Sequence, residues 1–161
     1  MMKHTITALV ENKPGVLSRV IGVVAGRGYN IETLCVGPTQ DNSFSKITMV
    51  VPGDARVLQQ VTQQVLKQVD VLEVVDVTRQ RFISRELLLV ELSTAESGRA
   101  PVMELAKLFS AQIVAVQEYS LTIQMTGDEQ QVGDFLRSLR SFKVLDIARS
   151  GVIAVARNNG E

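Results

Sequence analysis

Two strand-helix-strand-strand-helix-strand units in tandem, an α+β fold class, are predicted for this 161-residue chain from three observations. Short β-branched runs and amphipathic stretches follow one another in the same order twice. Proline, glycine and polar turn residues separate them at close intervals. The composition is globular, at 45% hydrophobic and 21% charged, which excludes disordered, collagen-like and coiled-coil chains.

Thr5 to Val10 is β-branched and apolar in near alternation and reads as a strand, ended by Glu11-Asn12-Lys13-Pro14-Gly15. Pro14 suits a first helical turn, and Val16, Leu17, Val20, Ile21 and Val24 form the apolar stripe of a helix stopped by Gly26-Arg27-Gly28. Ile31 to Val36 and Phe44 to Val51 read as strands joined by a polar connection. Asp54 is a good cap for a helix carrying Val57, Leu58, Val61, Val65 and Leu66, and Val71 to Thr78 closes the unit as a strand. The second half repeats the order without the residues. Glu86 to Leu92 is a strand and Pro101 to Ser110 a helix, followed by strands at Gln112 to Val116 and Tyr119 to Met125. Asp128 caps a helix with Val132, Phe135, Leu136 and Leu139, and Val144 to Val155 is one last strand, bent at Ser150-Gly151.

The expected domains are 1–79 and 80–161, with the joint near Arg79 to Arg85. Units this small sit near the lower limit of independent stability and are expected to lean on each other or on a second chain. The order is the split βαβ, or ferredoxin-like, arrangement, which puts both helices on one face of a four-stranded antiparallel sheet and the second strand at an edge. That edge, with Leu34, Cys35 and Val36, carries one charge and no proline from Ile31 to Val36. Pairing with the same edge of a second copy, a homodimer, is the expected remedy.

Function classes fall away in turn. Seventeen Lys and Arg balance seventeen Asp and Glu, so the phosphate-neutralising excess of a nucleic-acid or membrane-surface binder is missing. One cysteine excludes a disulfide framework, and the absence of a signal-like or transmembrane stretch points to the cytoplasm. The lone histidine, His4, has no nucleophile to serve, and no metal-ligand spacing or phosphate-binding loop occurs. Gly22, Gly26 and Gly28 lie in and after a helix, outside the strand-to-helix turn of a dinucleotide loop. Cys35 reads as a small buried hydrophobe, and Met49, Met103 and Met125 as core filling. Arg79, Arg81 and Arg85 read as a solvated linker or as a face toward a partner.

Glu11 to Leu17 is the candidate site. The amide groups at the start of the first helix lack intrahelical partners and carry partial positive charge, so a small carboxylate can dock there. Gly15 has no Cβ in the way, and the Asn12 amide offers a donor and an acceptor, which suits a zwitterionic amino acid. Asn12 and Pro14 also serve simply to start a helix, and Asn30 is open to the same two readings.

Asn12-Lys13-Pro14-Gly15-Val16-Leu17 before a helix, within this element order, resembles the ACT domain, a regulatory module that binds amino acids. The runs Glu11 to Gly22, Arg27 to Glu32, Gln68 to Leu72, Arg85 to Val90 and Ala148 to Gly151 resemble the small, regulatory subunits of acetolactate synthase across nearly the whole chain. That resemblance implies a non-catalytic subunit in branched-chain amino-acid biosynthesis, which activates a catalytic large subunit and confers feedback inhibition by valine. It implies an amino-terminal ACT domain that binds the effector through positions including Asn12, Pro14, Gly15, Val16, Leu17, Asn30 and Ile31, where two chains meet. Thiamine diphosphate, FAD and Mg are expected only on the catalytic subunit, with no cofactor or metal in this chain. The second unit has Gly98-Arg99-Ala100-Pro101 where the Asn-x-Pro-Gly pattern would stand, so a second equivalent site is not expected there. The residues also leave room for a free-standing amino-acid sensor controlling another enzyme, a transporter or a transcription system.

Overall fold

The structure, a computed structural model, describes residues 2–157. Its first six elements are β1 (Lys3–Glu11), α1 (Val16–Ala25), β2 (Thr33–Pro38), β3 (Phe44–Pro52), α2 (Ala55–Leu66) and β4 (Val71–Asp76). Period-2 alternation puts Ile6, Ala8 and Val10 of β1 beside Ile47, Met49 and Val51 of β3 on one buried face. Helical spacing sets Val16, Val20 and Val24 of α1, with Leu58, Val61 and Val65 of α2, onto the same core. The antiparallel sheet runs β2-β3-β1-β4, so β2 and β4 are its edges. Asp54 caps α2 as expected, accepting the Arg56 and Val57 N–H groups at 3.0 and 2.9 Å.

The second half comprises β5 (Phe82–Ser93), α3 (Ala100–Leu108), β6 (Gln112–Val116), β7 (Ser120–Gly127), α4 (Glu129–Ser138), β8 (Val144–Arg149) and β9 (Ile153–Ala156). Its sheet runs β6-β7-β5-β8, with β9 also on β5. Leu88, Val90, Leu92, Ile123 and Met125 meet Val102, Leu105, Val132 and Phe135 in a separate core. The Phe109 and Phe135 rings pack edge-on there, 5.3 Å between centroids. The repetition reaches the ladder defects: register slips between Leu9 and Val10 in one unit and between Glu91 and Leu92 in the other.

Two compact units result, one up to Ile83 together with the segment from Val152, the other Ser84–Gly151. The last strand groups with the first unit, where the Arg157 N–H donates to Arg81 O at 2.7 Å. Val144 to Val155 is therefore two strands and not one bent strand, because Gly151 at φ 77° breaks the extended run. The connection expected from Arg79 to Arg85 is shorter: Val77–Arg79 is a 3₁₀ turn capped by Asp76, and β5 begins at Phe82. Met49 and Met125 are buried as expected, whereas Met103 is 44% exposed, on the outer side of α3. Cys35 is only half-buried, since an edge strand has a neighbour on one side alone.

Candidate functional site

β1 leads into α1 through Asn12-Lys13-Pro14-Gly15. Gly15, the residue that caps α1, sits at φ 83°, ψ −9°, a left-handed conformation that a residue with a Cβ adopts at a cost. No side chain caps the helix. The Val16 N–H turns back to Lys13 O and the Arg19 N–H to Gly15 O, leaving the N–H groups of Leu17 and Ser18 without an acceptor among the described residues.

Beside these donors lies a cleft of about 270 Å³ between the start of α1 and the end of β2. Val10, Val16, Leu17, Val36 and Ile47 supply apolar wall, and Asn12, Lys13 and Ser45 polar edge. Asn12 is fixed by its own N–H on Ser43 O and by its amide nitrogen on Asn42 O, both at 2.8 Å. Its side-chain oxygen has no hydrogen-bond donor among the described residues.

Charges ring the helix start. Lys13 pairs with Glu11 at 2.6 Å, which holds the ammonium above its ordinary range, chiefly through the hydrogen bond. Arg19 pairs with Asp70, and its hydrogen bond holds that carboxyl below the usual carboxylate range. His4 stands at the far end of β1 and is buried, with neither ring nitrogen hydrogen-bonded among the described residues. It takes no part in the cleft.

Of the expected site residues, Asn12, Val16 and Leu17 line the cleft; Pro14 and Gly15 shape the turn that opens it. Asn30 and Ile31 do not line it. They precede β2, while the cleft takes Val36, Gly37 and Pro38 from its end, six residues and roughly 20 Å of extended chain away. Sequence reasoning assigned Val36 to a dimer edge and missed Gly37, Pro38, Arg19 and Asp70. Only Arg19, one helical turn past Gly15, carried a signal.

The corresponding place in the second unit is built differently. Pro101 is the second residue of α3, Arg99 precedes the helix in right-handed helical conformation, and the Arg99 guanidinium reaches the Gln117 carbonyl past β6 at 3.0 Å. A side chain thus spans the gap that is open in the first unit.

Residues 6–73 match the family described as the AHAS small subunit-like ACT domain, and residues 85–158 the family described as the small subunit of acetolactate synthase. The Archaeoglobus fulgidus protein named "probable acetolactate synthase small subunit" is 42% identical over 98% of this chain and 99% of its own length. This chain belongs to the acetolactate synthase small-subunit family. The isozyme 3 small subunit of Salmonella typhimurium is 39% identical, covering 98% of each chain. The crystal structure of the Thermotoga maritima small subunit superposes with a TM-score of 0.89 at 30% identity, over 99% of this chain and all of that one. The likeness to this family spans both units, so the ferredoxin-like order read from the sequence is the family's order in both halves.

Proposed function

We propose that this chain is the non-catalytic regulatory subunit of an acetolactate synthase, acting in the cytoplasm on a catalytic large subunit that it activates and through which it relays feedback inhibition by valine. The observation that carries the effector reading is the open start of α1 beside an apolar cleft. Its free N–H groups and helix dipole suit a carboxylate, the Asn12 carbonyl suits an ammonium, and Val10, Val36 and Ile47 suit an isopropyl group. The first unit thus takes the part of an effector-binding ACT domain.

The separation of Asn30 and Ile31 from the cleft fits a site completed by a second copy. The Thr39 N–H donates to Phe44 O in the β2–β3 register, so by alternation the N–H groups of Leu34 and Val36 face the open edge. Antiparallel pairing of two such edges brings the start of one β2, with Asn30 and Ile31, toward the end of the other, where the cleft lies. Valine and the homodimer are then linked, each strengthening the other, and the arrangement valine favours supports the partner's active site less well. Thiamine diphosphate, FAD and Mg are assigned to the catalytic subunit. No described helix is long and apolar enough to cross a membrane.

Co-purification with the catalytic subunit from the same source, followed by calorimetry with valine, leucine and isoleucine, tests the reading. Activation on mixing, valine binding by this chain alone and no acetolactate from this chain alone are expected. Turnover by the isolated chain sinks the non-catalytic assignment.

A further inference from the structure

We infer that β6, the open edge of the second unit's sheet, pairs antiparallel with β6 of a second copy of this chain. The proposal is independent of the pairing at β2. In the sheet order β6-β7-β5-β8 the strand takes the place that β2 has in β2-β3-β1-β4, so it has a hydrogen-bonding neighbour on one side only. All five residues, Gln112-Ile113-Val114-Ala115-Val116, are exposed, Val114 and Val116 at 49% and 61%. The Gln117 N–H donates to Ser120 O at 2.9 Å where β6 turns into β7, so by alternation the N–H and C=O groups of Val116 point away from β7. Val114 stands at a register slip and has no partner residue on β7.

The distribution of charge selects a second copy as the occupant. Antiparallel pairing of a strand with its own copy sets the residues near its centre against themselves, so any charge there meets a like charge. A strand that pairs with a different protein is under no such restriction. The outer strands of the two sheets divide on this point. β4 carries Glu73 and Asp76, and β8 carries Asp146 and Arg149. β2 and β6 carry no charge, and around β6 the uncharged run extends from Leu108 to Gln117. β6 also has no proline, so it lacks two common guards of an exposed edge. Pairing with its copy satisfies the outward groups of Val116 and covers the exposed Ile113, Val114 and Val116 side chains. The chain then has two edges that pair with themselves, one in each unit, and its self-association has two separable contributions.

The test uses the full chain carrying Val36→Pro, which weakens pairing at β2 and leaves β6 intact. Val114, the middle residue of β6, meets its counterpart when two copies pair about the strand centre. It is changed to Lys in one sample and to Glu in another, and self-association is measured by sedimentation for each and for their 1:1 mixture. The Val36→Pro chain is expected to associate at concentrations up to about 1 mM. Each charged variant is expected to associate about 5- to 10-fold more weakly, and the mixture to recover at least the association of the Val36→Pro parent. Recovery in the mixture also shows that both charged variants fold. A Val36→Pro chain that stays monomeric, charged variants that associate as their parent does, or a mixture no stronger than its components each overturn the pairing at β6. Loss of binding to the catalytic subunit in both charged variants, with self-association unchanged, assigns the edge to that subunit and overturns it as well.

Discussion

Replacing Gly15 by Ala and by Asp separates what the turn does for the fold from what it does for the ligand. Both residues must adopt φ 83°, which costs an L-residue about 1–2 kcal/mol, somewhat less for Asp. The new Cβ meets only the end of the Arg19 side chain, at 3.2 Å, and a flexible guanidinium can give way. Each kcal/mol lowers the melting midpoint of a domain of this size by about 4–8 °C, so both variants are expected to melt below wild type by similar amounts. Binding distinguishes them. If the effector's carboxylate docks at the start of α1 as proposed, the Asp carboxylate stands near it, and two like charges about 4–8 Å apart at an effective dielectric near 20 repel by about 4–2 kcal/mol, or roughly 1000- to 30-fold in affinity. Thermal melts followed by circular dichroism give the first quantity, and valine calorimetry below the melting range gives the second. An Asp variant that binds valine within about threefold of the Ala variant refutes a carboxylate dock at α1; two variants that melt with wild type refute the strain argument.

Val36→Pro removes an N–H that faces the open edge and leaves the β2–β3 ladder intact; sedimentation is expected to show weaker self-association and calorimetry weaker valine binding, in parallel. A monomer with unchanged valine affinity moves the site inside one chain. Asp70 has its folded-state pKa lowered by Arg19, so its contribution to stability is present above the ordinary carboxylate value of 3.8 and is lost as pH falls through the lower folded value. Asp70→Asn should therefore be less stable than wild type near neutral pH, with the gap closing below about pH 3.8; a constant gap in urea titrations down that range contradicts the assignment. In the second unit Arg149 holds the buried Glu86 through two bonds of 2.8 Å, and Arg149→Ala, which strands that carboxylate, is expected to cost about 3 kcal/mol, checked by urea unfolding. A loss below about 1 kcal/mol shows that solvent reaches Glu86 once the arginine is gone.

The periodicities and turn residues alone determined the element order, the two helices on one side of each sheet and the edge position of β2. Those are local matters: alternation in Thr5 to Val10, the Val16-Val20-Val24 stripe and the caps at Asp54 and Asp128 are each set by neighbours within a few positions. The open turn at the start of α1 was also legible, because Pro14 and Gly15 act on the backbone next to them. Only the tertiary structure decided which wall faces that turn. Pro38 reaches it through strand pairing, not chain proximity, while Asn30, nearer in sequence, is carried away by the length of β2. Asp70 joins Arg19 across 51 positions, a separation at which no spacing rule operates. The extended run from Val144 misled because a buried glycine at positive φ, set by its surroundings in the fold, cannot be told in sequence from a glycine that merely bends a strand.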